Sequence, residues 1–234
     1  MDADTRRPGY EWLLFDADGT LFDYDRAEGM ALGRALEQIG ATVQPGCLTA
    51  YRQINGGLWR ELEQGRITQE KLKVRRFELL FHALGINYSP AAFSTIYLDC
   101  LGDCCDTVTG AAEALQSLYG KYRLAVLTNG LQAVQRRRLE RSVIGRFIAE
   151  LIISEAIGCA KPTKAFFDAA FARLGQPKAS ACLMIGDNWS SDIEGAANYG
   201  IDTCWYNPGR QPRPSSPAIT CEIVSLGELV AWLK

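Results

Sequence analysis

Short apolar runs recur along the chain, and each ends abruptly at polar residues. Runs of four to six apolar residues bounded by turn residues are typical of buried strands. Several such strands separated by helical patterns favour an α/β fold with a parallel sheet. The predicted strands are Glu11–Phe15, RLAVLT before Asn129, ELIIS before Glu155, ACLMI before Gly186 and DTCWY after Gly200.

Amphipathic segments lie between these strands. Their apolar residues recur at helical spacing over Leu131–Ser142, Lys164–Leu174 and Ser191–Asn198. A last helix is predicted from about Leu226, because the Ser225-x-x-Glu228 spacing resembles a capping box. Strands and helices therefore alternate in this part of the chain.

Residues 22–107 have a different pattern, with amphipathic helical segments and no convincing strand. We therefore predict an all-helical domain at 22–107, inserted after the first strand, and a sheet-containing core made of residues 1–21 and 108–234. The proline-rich stretch GRQPRPSSP, residues 209–217, is predicted to be a loop.

Composition and charge exclude several classes of protein. The chain of 234 residues is 47% hydrophobic and 22% charged, which is ordinary globular usage. Its 25 basic and 27 acidic residues give a net charge of −2, so there is no basic field to bind a nucleic-acid polymer. No apolar run is long enough to span a membrane or act as a signal peptide. We expect a soluble, cytoplasmic protein with neither nucleic acid nor membrane as its partner.

The eight cysteines and one histidine do not form a recognisable metal or catalytic pattern. There is no paired C-x-x-C, and His82 lies in the apolar run FELLFHAL. We predict free thiols and a helix-packing role for His82, so the chemistry must come from other residue types.

Polar residues cluster where four predicted elements end. Because parallel strands end at one edge of a sheet, these clusters are predicted to meet there. They combine carboxylates, one ammonium and a turn that opens a helix, which suits a Mg²⁺ ion and a phosphoryl group. The residues are Asp16, Asp18, Thr128, Asn129, Gly130, Lys161, Asp187 and Asp192. Each alone could be an ordinary helix cap, turn or loop residue, but their joint placement favours a site.

Four segments in order, DADGT, LTNG, AKP and GDNWSSD, resemble the motifs of the haloacid dehalogenase superfamily of phosphohydrolases. The runs LTNGLQAVQRRRLERS and NGGLWRELEQGRIT are similar to those of bacterial house-cleaning pyrimidine 5′-nucleotidases. The resemblance covers nearly the whole chain and implies a Rossmann-like core with an inserted helical cap. One departure is DTVTGAAEAL before the second strand, where the family usually has Pro-Gly.

The resemblance also implies a role for each site residue. Asp16 would attack phosphorus and become an aspartyl phosphate, and Asp18 would act as general acid and base. Mg²⁺ would be held by Asp16, Asp187 and the Asp18 carbonyl, with Asp192 in support. Thr128 and the amides of Asn129 and Gly130 would hold the phosphoryl oxygens, and Lys161 would offset charge on nucleophile and phosphate.

The predicted function is a Mg²⁺-dependent phosphatase of nucleoside 5′-monophosphates, with pyrimidine bases preferred. A sugar-phosphate or other small-metabolite phosphatase, a phosphomutase and a non-catalytic phosphate-binding domain are the alternatives. Within the superfamily that the chain resembles, an acid two residues after the nucleophile, here Asp18, implies ester cleavage rather than dehalogenation. In the cap, Trp59, Arg76 and Phe77 are either core residues or part of the substrate pocket. The arginines 136–138 are predicted to form a solvated helix face.

Overall fold

The computed structural model describes residues 9–234. Residues 1–8, which the sequence assigns to the core domain, lie outside the described part. The chain divides into two compact units. One consists of the chain up to Asp23 together with Cys105–Lys234, and the other is Tyr24–Cys104.

The first unit contains a six-stranded sheet in which all neighbouring strands are parallel. The strand order is β3-β2-β1-β4-β5-β6, so the chain moves outward from β1 in one direction and then in the other. Such a reversal opens a crevice at the carboxyl ends of the central strands, where ligands bind. The strands are β1 (Trp12–Phe15), β2 (Arg123–Thr128), β3 (Glu150–Ile153), β4 (Cys182–Gly186), β5 (Asp202–Tyr206) and β6 (Cys221–Ile223).

Alternation along the strands supplies two apolar cores, one on each face of the sheet. Leu13 and Phe15 belong to one core, and Trp12 and Leu14 belong to the other. Successive strand side chains point to opposite faces, so a strand buried on both sides reads as a continuous apolar run. This confirms the predicted parallel α/β sheet.

Helices cover both faces of that sheet. Leu115 and Leu229 from two of them join one core, and Phe166 and Ala196 from two others join the opposite core. The helices of this unit are α5 (Ala111–Leu118), α6 (Gln132–Arg141), α7 (Ser154–Ile157), α8 (Lys164–Leu174), α9 (Gly195–Tyr199) and α10 (Leu226–Trp232). A π-helical turn, Trp189–Glu194, precedes α9.

The second unit consists of four helices, α1 (Tyr24–Gln38), α2 (Cys47–Glu63), α3 (Gln69–Leu84) and α4 (Pro90–Gly102). Helix α1 packs on α4, and α3 packs on both α2 and α4. Its interior is aromatic, with the Phe77 ring 4.8 Å from that of Phe93 and 5.1 Å from that of Tyr97. Aromatic side chains bury large areas and contribute strongly to the stability of such a core.

The sequence also predicts a state for the cysteines, for His82 and for the proline-rich stretch. None of the eight cysteines, all within residues 9–234, forms a disulfide. His82 lies on α3 but is exposed, so its predicted packing role is wrong. The 209–217 stretch forms neither helix nor strand, as predicted. Within the described chain, no helix is both long and apolar enough to cross a bilayer.

Candidate active site

A buried ammonium lies at the carboxyl end of the central strands. Lys161 Nζ donates to Asp16 Oδ1 at 2.6 Å, to Asp192 Oδ1 at 2.7 Å and to the Leu127 carbonyl at 2.7 Å. An ammonium has three donors, and these three acceptors use all of them. Lys161 is therefore fixed between two carboxylates with its three donors in use, so any effect on a nearby anion would come through its charge.

Local backbone geometry places the two carboxylates beside each other. Asp16 follows β1, and its amide donates to the Ile185 carbonyl of β4 at 2.9 Å. Asp192 lies in the π-helical turn after β4, and Ser191 Oγ and the Asn188 amide donate to its carboxylate at 3.1 Å each. The wider turn brings Asp192 back toward the strand end, a use for which π-helical turns are known at functional sites.

Asp187 is held by a reciprocal pair of hydrogen bonds with Thr20. The Thr20 hydroxyl donates to Asp187 Oδ1 at 3.0 Å and accepts from the Asp187 amide at 3.1 Å. Gly19 allows the approach, because a Cβ there would lie 2.6 Å from Asp187 Oδ2. Gly19 also has φ +87°, a conformation that glycine adopts without strain. The loop after β1 thus positions a carboxylate that follows β4.

The charges in this cluster are unbalanced. Burial, and then the Lys161 and Asp192 neighbours acting in opposite senses, leave the pKa of Asp16 well above its usual value. Burial and the nearby Asp192 raise the pKa of Asp187 to about 7. Burial lowers the pKa of Lys161, but Asp16 and Asp192 outweigh it and the pKa is raised. One cation among three acids leaves excess negative charge, which a second cation would offset.

The donor set suits a hard divalent cation. Carboxylate oxygens of Asp16, Asp187 and Asp192 lie within 4.8 Å of one another. Mg²⁺ prefers one or two carboxylates and completes its shell with carbonyls, waters and phosphate oxygens. Both oxygens of Asp192 already accept hydrogen bonds, whereas Lys161 reaches only Oδ1 of Asp16. Asp16 and Asp187 are therefore the side chains that would hold the ion. A bound cation would favour the ionised forms of these two groups and so oppose the rise in their pKa values.

The turn after β2 presents a hydroxyl with its acceptors filled. Thr128 Oγ1 accepts from the Gly130 amide at 3.0 Å and from Gln135 Nε2 at 3.1 Å. A hydroxyl has two acceptor lone pairs and one proton, so the proton is left to donate to an anion. The prediction that the Gly130 amide binds phosphate needs correction, because this amide donates to Thr128. Gly130 instead provides room, since a Cβ would collide with Gln135.

Asn129 has a second task that the sequence does not reveal. Its side chain donates from Nδ2 to the Lys161 carbonyl and accepts through Oδ1 from the Lys161 amide, both at 2.9 Å. This two-point clamp joins the turn after β2 to the loop that carries Lys161. These two hydrogen bonds fix the Lys161 backbone, so its ammonium is held beside Asp16.

The Asp18 side chain contacts two residues of helix α6. Its carboxylate accepts from Gln135 Nε2 at 2.5 Å and forms an ion pair with Arg138. Arg138 is fully buried, so its prediction as part of a solvated face is wrong. The sequence shows Arg138 only as one of three consecutive arginines. Its position three residues after Gln135, on the same helix face, was the signal that could have found it.

The three residues proposed from the helical insertion differ in exposure. Phe77 is fully buried and Arg76 is 1% exposed, so of the two alternatives the structure supports core residues of the helical unit for both. The Arg76 guanidinium lies 4.9 Å from the ring centroids of both Phe77 and Tyr97, and Nη1 donates to Tyr51 at 3.2 Å. An arginine is buried only where such partners compensate for lost water. Trp59 is partly exposed on α2.

Comparison with known proteins identifies the family. A family model of haloacid dehalogenase-like hydrolases matches residues 10–200. The chain belongs to the haloacid dehalogenase-like hydrolases. It is 35% identical to the pyrimidine 5′-nucleotidase YjjG of Escherichia coli (strain K12) over 220 residues, which cover 94% of this chain and 96% of that protein.

Two further relatives span the chain. The pyrimidine 5′-nucleotidase PynA of Streptococcus pneumoniae is 33% identical over 225 residues, covering 96% of this chain and 95% of that protein. The magnesium-bound crystal structure of the HAD-hydrolase YfnB from Bacillus subtilis aligns with a TM-score of 0.90 at 33% identity, covering 96% of this chain and 98% of that one. The predicted family and fold class are thus confirmed.

Proposed function

We propose that this hydrolase is a phosphomonoesterase in which Asp16 is the nucleophile. The observation that carries the proposal is the contact between the Lys161 ammonium and Asp16, 2.6 Å long and buried beside Asp192 and Asp187. A carboxylate is a legitimate nucleophile toward phosphorus. The Lys161 ammonium favours the ionised form of Asp16 despite burial, and only the ionised carboxylate attacks phosphorus.

In the first step, an Asp16 oxygen bonds to phosphorus and the bond from phosphorus to the leaving oxygen breaks. The electron pair goes to that leaving oxygen, which takes a proton from Asp18 and departs as an alcohol. The Thr128 hydroxyl proton and the Asn129 amide stabilise the phosphoryl oxygens, and Lys161 offsets their charge. Asp16 is then an aspartyl phosphate.

In the second step, water attacks the phosphorus of the aspartyl phosphate while Asp18 takes its proton. The bond between Asp16 and phosphorus breaks, inorganic phosphate leaves and the Asp16 carboxylate is restored. Two residues apart after a strand, Asp16 and Asp18 can both face one substrate. Using the same acid for both proton transfers needs no histidine.

We propose Mg²⁺ as the cofactor, held by Asp16, Asp187 and the Asp18 carbonyl, with Asp192 fixing Lys161 beside them. When bound, the ion supplies positive charge that lets an anionic nucleophile approach an anionic phosphate. Thr20 orients Asp187 for that task through its two hydrogen bonds.

For the substrate, we propose nucleoside 5′-monophosphates with pyrimidine bases preferred. The support is the pair of relatives named pyrimidine 5′-nucleotidases, each matched over nearly the whole chain. Of the three cap residues Trp59, Arg76 and Phe77, Trp59 is the one whose exposure leaves it available to a base. A sugar-phosphate or other small-metabolite phosphatase, or a phosphomutase, is the second candidate, since the core residues contact only the phosphoryl group.

The test is a panel of phosphate esters assayed with Mg²⁺. Uridine and cytidine 5′-monophosphates should give higher kcat/KM than hexose and triose phosphates, with inorganic phosphate as a product. Efficient hydrolysis of the sugar phosphates would overturn the nucleotidase proposal and leave the phosphatase proposal standing. Transfer of phosphate to a second hydroxyl of the substrate, with no inorganic phosphate released, would indicate a phosphomutase.

A further inference from the structure

Helix α6 presents two buried polar side chains to Asp18. Gln135 is 2% exposed and Arg138 is fully buried, and both reach the same carboxylate. We propose that Gln135 and Arg138 are positioning residues for the proton transfers of Asp18. This inference rests on the proposed phosphatase function.

The two donors grip both oxygens of the carboxylate. Gln135 Nε2 donates to Oδ2 and Arg138 Nη1 donates to Oδ1. A carboxylate offers about four lone-pair sites, and two donors fill only half of them. The remaining sites can still carry the proton that Asp18 gives and takes. The two contacts therefore fix the orientation of the Asp18 carboxylate without blocking its proton transfers.

Gln135 also couples Asp18 to the phosphate-binding turn. Its Nε2 atom is 2.5 Å from Asp18 Oδ2 and 3.1 Å from Thr128 Oγ1. One amide group thus ties the acid to the hydroxyl proposed to bind the phosphoryl group. This fixes their separation, and proton transfer depends steeply on such geometry.

Arg138 packs against a buried aromatic ring. Its guanidinium lies 4.3 Å from the ring centroid of Phe22, which is itself buried. The side chain of Asp18 is 26% exposed and that of Arg138 is 0% exposed. The pair therefore has its cation inside the protein and its acid at the surface of the crevice. This arrangement leaves Asp18 accessible to a substrate while Arg138 holds it from inside, which a purely structural ion pair would not require.

A positioning role predicts a kinetic pattern that a structural role does not. An alkyl leaving group needs a proton from Asp18, whereas p-nitrophenolate leaves without one. Breakdown of the aspartyl phosphate needs Asp18 as a base for either ester. Misplacing Asp18 should therefore slow both steps with an alkyl phosphate, but only the second step with p-nitrophenyl phosphate.

The experiment compares Arg138→Lys, Arg138→Met and Gln135→Met with the wild-type enzyme and with Arg136→Met. Arg136 is an exposed residue on the same helix and serves as the matched control. Each protein is assayed with Mg²⁺ on an alkyl phosphate and on p-nitrophenyl phosphate, including rapid-mixing measurements. Thermal unfolding shows which variants fold. Gln135→Met, close to its parent in shape, keeps the test open if Arg138 variants fail to fold.

We expect kcat for the alkyl phosphate to fall about 100-fold in Arg138→Met and Gln135→Met, the lower end of what acid–base catalysis contributes. With p-nitrophenyl phosphate, these variants should release one p-nitrophenolate per enzyme in a burst before a slow steady state. Arg138→Lys should recover part of the loss, and Arg136→Met should match the wild type.

Three results would overturn the inference. If kcat fell equally on both esters in folded variants, with no burst, the two residues would have a merely structural role. The wild-type activity would still uphold the phosphatase function. Unchanged rates in folded Gln135 and Arg138 variants would show no role. A wild-type protein that hydrolyses neither ester would overturn the proposed function, and the inference with it.

Discussion

Lys161 Nζ lies 2.6 Å from Asp16 Oδ1 and is buried together with it. The same ammonium reaches Asp192 at 2.7 Å, so one cation is shared between the proposed nucleophile and a supporting acid. Burial alone would favour a neutral Asp16, and this contact opposes that tendency. Lys161 is therefore both a structural counter-ion and part of the proposed chemistry.

Replacing Lys161 with Met should damage both stability and activity. Removing one partner of a buried ion pair leaves a buried charge without compensation, which costs about 3–5 kcal/mol of unfolding free energy. Denaturant unfolding measures that loss, and phosphatase assays should show activity near background. Lys164→Met is the matched control, because Lys164 pairs with Asp168 on an exposed helix face where water screens the two charges, so its loss should hardly change the unfolding free energy. Equal effects of the two substitutions would contradict this account.

Stabilisation by Mg²⁺ should depend on pH. Without the ion, the pKa of Asp187 is raised to about 7. An acid whose pKa is raised on folding contributes stability that is full below its unfolded pKa of about 4 and is lost as the pH rises through about 7. Mg²⁺ favours the ionised carboxylate and offsets the loss. The rise in Tm on adding Mg²⁺ should thus be larger at about pH 8 than at about pH 5.5. The same rise at both pH values would count against Asp187 as a ligand.

Thr20→Val should weaken Mg²⁺ binding with little change in shape. The substitution removes both hydrogen bonds that orient Asp187. Losing a partner that orients a metal ligand lowers metal affinity by about 10–100-fold. The measurement is activity against Mg²⁺ concentration, with kcat at saturating Mg²⁺ expected to change far less. Thr163→Val, at an exposed hydroxyl bonded to the Ala160 carbonyl, is the control. An unchanged Mg²⁺ requirement would remove Thr20 from the site.

Trp59→Ala should raise KM for pyrimidine nucleotides more than for p-nitrophenyl phosphate. The reason is that the proposed catalytic residues remain whole while an apolar surface for a base is lost. Arg60→Ala, at the exposed neighbour, should leave both KM values unchanged. If Trp59→Ala raised both KM values equally, the selectivity proposed for Trp59 would fail.

The sequence predicts the sheet well because its strands are buried on both faces. Short, continuous apolar runs such as those of β1 and β4 are typical of strands buried in a parallel sheet, and the acids that follow them stand out. The three-residue strand β6 (Cys221–Ile223) was missed, because so short a segment carries no pattern. The predicted helix Ser191–Asn198 is instead a π-helical turn that continues into α9. The wider turn places Asp192 within hydrogen-bond distance of Lys161.

Contacts between distant segments could not be read from the sequence. The clamp between Asn129 and Lys161 joins residues 32 positions apart, and Arg138 meets Asp18 across 120 positions. Polar residues on a helix are usually solvated, so apart from its spacing three residues after Gln135 nothing local marks Arg138 as buried. For Arg76 the sequence left a core role and a pocket role open, because its burial depends on the aromatic partners Tyr97 and Phe77.

Trapping the covalent intermediate tests the central claim most directly. The wild-type enzyme is mixed with Mg²⁺ and p-nitrophenyl phosphate, quenched in acid during turnover and mapped by peptide mass spectrometry. For the wild type, the account predicts one added phosphoryl group on Asp16. A folded Asp16→Asn variant should show neither that group nor turnover, because its amide keeps the shape of the carboxylate but is not a nucleophile. A phosphoryl group on a different residue, or wild-type turnover by Asp16→Asn, would contradict it.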